Sequence, residues 1–421
     1  MDFDFSPASL ALQTRVRDLM QRLVLPSNRD WHRWADEGVY PLDVIDPIKA
    51  QAKAAGLWNL FLPTLREDEP GTRLANLDYA PLAEIKGRIP WASEVFNCSA
   101  PDTGNVELLH RFASPEQSAR WLRPLLEGEI RSCFAMSEPD VASSDATNLQ
   151  TRIARDGGEY VVNGRKWFIT GAAHPRCELA IVMGVGDAAA SDPSADSHHR
   201  HSMLLVPMDA PGLEVVRNIP IVQHRAIEGH CEIVFRNVRV PAANLLGAEG
   251  AGFAMAQARL GPGRVHHCMR SIGQCELALE LLCDRVLERK AFGAALSGFA
   301  NLREWIAESR IEIDQARLLV LHAAWRMDRD GNAAARTEVS AIKVVAARLQ
   351  TRVLDRAMQV FGAMGLSSDT PLAYLWTWGR AMRLLDGPDE VHLGVVARRE
   401  LARARERRGV TADYLVPPRR V

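Results

Sequence analysis

The 421-residue sequence has no uninterrupted apolar run long enough to span a bilayer and no excess of charge of either sign. Lys and Arg total 51 against 52 Asp and Glu, a formal net charge of −1. That balance gives no sign of the basic footprint of a nucleic-acid binder, although a near-zero sum can hide a local basic face. The seven cysteines (Cys98, Cys133, Cys177, Cys231, Cys268, Cys275 and Cys283) are odd in number and show no C-x-x-C spacing. Such scatter argues against a disulfide framework and against a zinc site, and no metal is expected. The opening MDFDFSPASL lacks the basic region and apolar core of a secretion signal and the Arg-rich bias of a transit peptide, so a cytoplasmic location is expected.

What is present is the profile of a globular protein, 47% hydrophobic and 24% charged, too long for one ordinary core. Three zones follow one another. Residues 1–130 read as an all-α domain, because "LALQTRVRDLMQRLVL" and "DVIDPIKAQAKAAGLWNLFL" repeat apolar residues at three and four, and Ser114-Pro115-Glu116 is a helix start. Residues 131–245 read as a β-barrel or sandwich domain, with short β-type runs and hairpin signals at Asp156-Gly157-Gly158 and Asn163-Gly164. The run "AAASDPSADSHHRH" inside it is polar. Residues 246–421 return to long amphipathic stretches and predict a four-helix bundle. The expected fold is therefore mainly α with a central β domain, and no short internal repeat is evident.

Three stretches carry candidate chemistry. "CFAMSEPDVASSDATN" (133–148) is rich in small residues and hydroxyls, so its backbone N–H groups can approach an anionic or electron-rich ligand; an ordinary interdomain loop has the same composition. "NGRKWFITGA" (163–172) puts two aromatics and Thr170 behind a turn signal, although aromatics on a strand are more often core. "RAMRLLDGPDEVHLG" (380–394) breaks a helical pattern at Asp386-Gly387-Pro388 and gathers Asp386, Asp389 and Glu390, which can be helix caps or a catalytic base. Other clusters rank lower. "SHHRH" lacks zinc spacing, adjacent His266 and His267 point apart on any helix, and Trp376 and Trp378 suit packing or a pocket wall.

Taken together, "FAMSEP" and "WFIT" resemble the flavin-contacting T-E-P loop and W-I-T-N strand of the acyl-CoA dehydrogenase family. "ERKAFGAALSGFANL", "AMQVFGAMGL" and "LLDGPDEVHL" resemble its Arg-x-x-Phe-Gly, Q-x-x-G-G-x-G and Y-E-G-T-x-x-x-Q elements, in the right order over nearly the whole chain. The wording is most similar to the subgroup that in animals is fused behind a kinase-like domain; the chain leaves no room for that domain, and a stand-alone dehydrogenase is expected. The resemblance implies FAD, with Phe134, Met136 and Ser137 along the flavin, Phe168 in the place of the family's Trp, and Thr170 reaching flavin N5. It implies that Arg289 and Phe292 contact the FAD of a neighbouring subunit, with Gln359, Gly362 and Gly365 closing that site, and that Pro388 and Glu390 also touch cofactor. Ser143 would lie near the CoA phosphates, Arg264 near the adenine-side groups, and Gly387 against substrate.

Asp386 takes the position of the family's glutamate base, and Gly263, at the alternative base position, carries no acid. Desaturation of a thioester requires a carboxylate desolvated enough for its pKa to rise, and donors for the enolate-like carbonyl. The implied activity is α,β-dehydrogenation of an acyl-CoA in fatty-acid β-oxidation, with electrons passed to an electron-transfer flavoprotein, by a homodimer or homotetramer. Departures are the shorter aspartate, Pro388 in place of threonine, Phe299-Ala300 in place of a His-Gln-like pair, and the partial double glycine of "FGAMG". Two alternatives stay open: a flavin oxidase of nitroalkane-oxidase type, which also uses an aspartate, and a non-catalytic acyl-CoA-binding protein on the same fold.

Overall fold

The computed structural model describes residues 5–186, 196–411 and 414. Helices occupy both ends of the chain and a mixed sheet the middle. The first helix, Pro7–Leu19, starts where the Ser6 hydroxyl accepts the Ser9 N–H; a helix also starts at Pro115, as the Ser-Pro-Glu signal predicts, with Ser114 in a reciprocal capping box with Gln117. The helix expected through "DVIDPIKAQAKAAGLWNLFL" covers only Leu42–Ala54. Gly56 adopts a φ of +67°, which ends it, and Leu57, Trp58, Leu60, Phe61 and Leu62 are buried instead as irregular chain. The Asn59 amide supports that segment by donating to the carbonyls of Pro70 (2.7 Å) and Leu126 (2.9 Å).

Among the described residues the sheet has eight strands: β1 Arg131–Ala135, β2 Arg152–Asp156, β3 Glu159–Thr170, β4 Cys177–Gly186, β5 His201–Pro207, β6 Leu213–Asn218, β7 His230–Pro241 and β8 Leu245–Leu246. Its order is β6-β7-β3-β2-β4-β5-β8, with β1 parallel to β4. The turn after Asp156 closes the β2–β3 hairpin as expected. Asn163-Gly164 does not turn; it lies inside β3, where the pairing with β7 shifts register. There the Asn163 side chain pairs with Asn237, accepting its N–H at 2.8 Å, and a Cβ on Gly164 would sit 2.4 Å from Thr151 Oγ1. The same dipeptide that favours a hairpin is here consumed by a bulge and a close approach. Of the polar "AAASDPSADSHHRH" run, residues 188–195 lie outside the described residues.

The C-terminal helices are Gly252–Glu288, Ala300–Asp330, Arg336–Phe361, Leu372–Met382 and Asp389–Glu406. The first, 37 residues long, packs against both following long helices and against Asn76–Gly87 of the N-terminal zone. One continuous core therefore joins the two helical zones (Leu82, Val106, Ile272, Ile342 and Val353 among its members) and takes in one face of β4 and β5 through Ile181, Met183 and Leu205, while the other face of the sheet has its own core around Val162, Val182 and Ile233. Arg131, at the start of β1, ties the two together through buried ion pairs to Asp102 and to Glu94 (3.1 Å). All seven cysteines are unpaired. Among the described residues no group of three His, Cys, Asp or Glu could hold a metal, and no helix is long and apolar enough to cross a membrane.

Glycine sets the crossing of the Asn76–Gly87 and Gly252–Glu288 helices. A Cβ on Gly87 would lie 2.4 Å from Arg270 Cα, and one on Gly273 would lie 2.1 Å from the Glu84 carbonyl oxygen. Gly273→Ala is expected to force the helices apart at a cost of about 1–3 kcal/mol, read as a lower urea midpoint. Gly298→Ala, where an added Cβ meets nothing within 4 Å, should leave the midpoint in place.

Candidate active site

The site is organised by one buried ammonium. Lys166, on β3, is fully buried and donates to the carbonyls of Met136 (2.8 Å) and Met183 (2.7 Å) and to Glu138 Oε1 (2.8 Å). Three donors meet three acceptors, so the charge is satisfied despite its burial. Glu138 in turn accepts the backbone N–H groups of Gln150 (2.6 Å) and Thr151 (2.8 Å). Burial pulls the Lys166 ammonium down to about 8 against the pull of Glu138. Burial pushes the Glu138 carboxyl up, but Lys166 and the backbone donors hold it below its ordinary value.

This clamp fixes the chain just after β1 against β3. The Trp167 N–H donates to the Ser137 carbonyl at 3.0 Å, and the β3–β7 pairing shifts between Lys166 and Ile169. In that bulge Phe168 adopts a φ of +51°, a costly conformation for an aromatic residue, and its ring stays 43% exposed, 4.9 Å from the Trp167 ring. Thr170 Oγ1 lies 3.0 Å from His230 Nδ1, and the His230 ring packs edge-on to Trp378 at 5.4 Å. Burial pulls the His230 imidazole down to about 4. Phe134, Met136, Ser137, Phe168 and Thr170 are thus gathered along one seam between sheet and helices. Ser143 lies in the same loop, where its hydroxyl accepts the Glu138 N–H at 2.8 Å and donates to the Glu138 carbonyl at 3.2 Å.

Across the seam stands the turn after Leu372–Met382. Asp386 and Gly387 have φ values of +52° and +100°. The Asp386 carbonyl accepts from Arg264 Nε (3.2 Å) and Nη2 (3.0 Å) and faces His392 Nε2 at 3.2 Å. A Cβ on Gly387 would come within 2.9 Å of that imidazole nitrogen. Arg264 therefore reaches the Asp386 turn. The Asp386 carboxylate is 24% exposed and lies 3.5 Å from His267 Nε2. Burial pushes its pKa up, but His267, Arg259, Lys343 and Arg264 outweigh burial and hold it below the ordinary aspartate value. That reverses the direction expected from desolvation alone, because the pocket is cationic. Arg259 also joins the two sides, with its guanidinium carbon 4.2 Å over the Phe134 ring.

Asp389 does not cap the following helix with its side chain; it is buried, and Oδ2 accepts from Arg383 (2.9 Å) and Arg348 (3.1 Å). Pro388 precedes that helix, and Glu390 is exposed on its first turn. Arg289, Phe292, Gln359 and Gly362 form a second group, all exposed at the end of the bundle where the Arg285 guanidinium lies 5.3 Å from the Phe361 ring. Phe292 is 99% exposed, whereas Gly365 is buried against the Met358 backbone. Among the described residues no hydrogen bond or ring contact joins this group to the seam.

Sequence reasoning did not find Lys166, Arg259, His267, Lys343 or His392. Only Lys166 had a local signal, as a charged residue at a core-facing position of a β-type run. His267 was discounted because it points away from His266, which holds: His266 is buried edge-on to Tyr79 at 4.8 Å.

Family models for the acyl-CoA dehydrogenase N-terminal, middle and C-terminal domains match residues 6–129, 133–238 and 250–401. The chain is 52% identical over 410 residues to probable acyl-CoA dehydrogenase FadE2 of Mycobacterium tuberculosis, covering 96% of this chain and 98% of that one. It is 47% identical over 397 residues to acyl-CoA dehydrogenase family member 11 of Rattus norvegicus, covering 92% of this chain but spanning only 50% of the rat protein. A solved structure from Mycobacterium abscessus, provisionally named an acyl-CoA dehydrogenase, is 50% identical with a TM-score of 0.90, covering 95% of this chain and 100% of that one.

Lys166→Met strands the Glu138 carboxylate and should cost about 3–5 kcal/mol in urea denaturation, much of it recovered in Lys166→Met/Glu138→Gln. A second expectation concerns pH. His230 and His392 are buried, and burial lowers each from its ordinary value to about 4. Between pH 6.5 and 4 the unfolded chain binds protons that the folded chain refuses, so their contribution is complete above pH 6.5 and drains as the pH falls. The urea midpoint should be lower at pH 5 than at pH 7, and an unchanged midpoint would contradict the neutral burial of both rings.

Proposed function

The chain belongs to the acyl-CoA dehydrogenase family, and from that premise we propose that it desaturates an acyl-CoA thioester with FAD as cofactor and Asp386 as the base. The observation that carries this reading is that Arg259 stacks on Phe134 and lies in the field of Asp386, so the loop expected to hold flavin and the acid expected to take the proton share one pocket. The seam suits a flat ring. Phe168 is held in a strained backbone conformation with its face left open, as a partner ring would require. Phe134, Met136 and Ser137 form the other part of that seat, and Thr170, backed by His230, offers a hydroxyl at its edge.

When bound, FAD accepts the hydride equivalent that leaves the substrate β-carbon. The chain's own part is the α-proton. Asp386 is ionised at neutral pH, so it is ready to accept, and closing the thioester over its remaining exposed edge would raise its basicity. The Asp386 N–H donates to no protein acceptor among the described residues, which leaves it free for the thioester carbonyl. In this reading Arg264 and His392 hold that peptide in place, so Arg264 serves the base turn and not the adenine-side groups. Ser143 is assigned to the CoA phosphates, Gly387 to the substrate, and Pro388 and Glu390 to the cofactor.

Arg289, Phe292, Gln359 and Gly362 are assigned to the FAD of a neighbouring subunit, which accounts for an almost fully exposed Phe292 and implies a homodimer or dimer of dimers. An electron-transfer flavoprotein is the proposed acceptor. The domain limits near residues 130 and 245 belong to the same proposal, supported by a sheet that begins at Arg131 and ends at Leu246.

The test is an absorbance spectrum followed by anaerobic titration with straight and branched acyl-CoA thioesters. The protein should be yellow and bleach with at least one thioester, and Asp386→Asn should keep its flavin while reduction slows by about 10²–10⁴-fold. A yellow protein that no thioester reduces would favour an oxidase, and a colourless one that FAD cannot restore would favour a binding protein.

A further inference from the structure

The carboxylate of Asp386 lies in the field of several cations, yet among the described residues no lysine or arginine nitrogen comes within ion-pair distance of it, and each has another acceptor. From the Gly252–Glu288 helix, Arg264 binds the Asp386 main-chain carbonyl, and Arg259 donates to Asn105 Oδ1 (2.9 Å) and the Pro101 carbonyl (3.4 Å). From Arg336–Phe361, Lys343 donates to the Met382 carbonyl. From Asp389–Glu406, His392 faces the Asp386 carbonyl, and Asp389 is paired with Arg348 and Arg383. Cys268, also on the long helix, is buried with its thiol pushed up to about 12, so it stays protonated. These groups supply field. Among the described residues only His267 brings a nitrogen within 4 Å of a carboxylate oxygen of Asp386, with Nε2 at 3.5 Å from Oδ2.

The proton on that ring can be placed. His267 Nδ1 lies 2.9 Å from Arg270 Nη2, and a guanidinium can only donate. Nδ1 must therefore carry the lone pair, which puts the proton of the neutral ring on Nε2, 3.5 Å from Asp386 Oδ2. Arg270 itself sits at the helix crossing where a Cβ on Gly87 would lie 2.4 Å from its Cα, so the residue behind the imidazole is held on a closely packed backbone.

We propose that His267 is the positioning residue for the base: locked by Arg270 as the Nε2–H tautomer, it holds Asp386 Oδ2 so that Oδ1 is the oxygen presented to the substrate α-carbon. The inference rests on Asp386 being the base. It also gives the shorter aspartate a means of aim, since a side chain with one methylene fewer than glutamate depends more on what fixes its rotation. The apo spacing sits at the edge of hydrogen-bond reach and needs to close by only a few tenths of an ångström when substrate fills the pocket.

The test uses the full-length flavin-loaded protein and the variants His267→Gln, His267→Ala, His267→Asn and Asp386→Asn. The apparent pKa of Asp386 is followed by ¹³C-carboxyl NMR, with its signal identified by loss in Asp386→Asn, and the tautomer of His267 by ¹⁵N NMR of the ring. Anaerobic flavin reduction by butyryl-CoA and octanoyl-CoA is followed across pH in parallel. Loss of the donor in His267→Ala should raise the Asp386 pKa by about one unit, move the acidic limb of the reduction profile with it, and lower kcat more than KM rises. His267→Gln, whose amide reaches the Nε2 position, should restore both, and His267→Asn, which fills the space but falls short, should behave as alanine does. An Asp386 pKa unmoved in alanine and asparagine variants, or a ¹⁵N signature of a charged or Nδ1–H ring, would overturn the proposal. Undiminished reduction in Asp386→Asn would instead sink the assignment of the base, while leaving the measured His267–Asp386 coupling to stand or fall on the NMR.

Discussion

A lysine ammonium with every proton engaged, buried where β1, β3 and β4 meet, is the constraint from which the site follows. Its burial is tolerable only with Glu138 and two carbonyls in place, so the chain leaving β1 has no freedom to wander. That fixed loop takes the Trp167 N–H, the register of β3 breaks beside it, and Phe168 is turned outward. An exposed aromatic ring in a strained conformation would be a liability on its own; here a polar clamp three residues wide enforces it.

The opposite wall is built differently. The Asp386 turn has no regular structure of its own, and its shape is imposed by side chains from neighbouring helices acting on its carbonyl, its glycine and its carboxylate. The result is an acid whose burial and whose surroundings pull in opposite directions. The cations win, so the resting turn holds an anion. A turn so arranged keeps the Asp386 carboxylate charged without exposing it fully to water.

The broad architecture was legible because helical periodicity and β alternation are local signals. The alternation of helical and β-type stretches, the helix start at Ser114 and the separate positions of the flavin-like and acid-bearing stretches all rest on residues within a few positions of each other. Where tertiary contact overrides local preference, the reading failed. Asn163-Gly164 became a bulge because Thr151 and Asn237 meet it from other strands, and "GLWNLFL" left the helix because Gly56 stopped it while its apolar residues stayed buried. Asp389 looked like a cap but is held by Arg348, 41 residues away in sequence. The groups around Asp386 were invisible for the same reason: Arg259, His267, Lys343 and His392 come from three helices whose meeting no spacing encodes.

The single core shared by both helical zones bears on how the chain comes into being. The Asn76–Gly87 helix finds its partner far downstream, as the contact between Arg88 and Glu280, 192 residues apart, illustrates. During synthesis the N-terminal helices must emerge, followed by the whole sheet, before the surface that covers them exists. The sheet can close around the core on one of its faces, while its other face and the early helices wait with apolar side chains uncovered. Nascent chains of this protein are thus most vulnerable to aggregation, and most in need of a chaperone's shelter, after the sheet is complete and before the long helix beginning at Gly252 has been delivered.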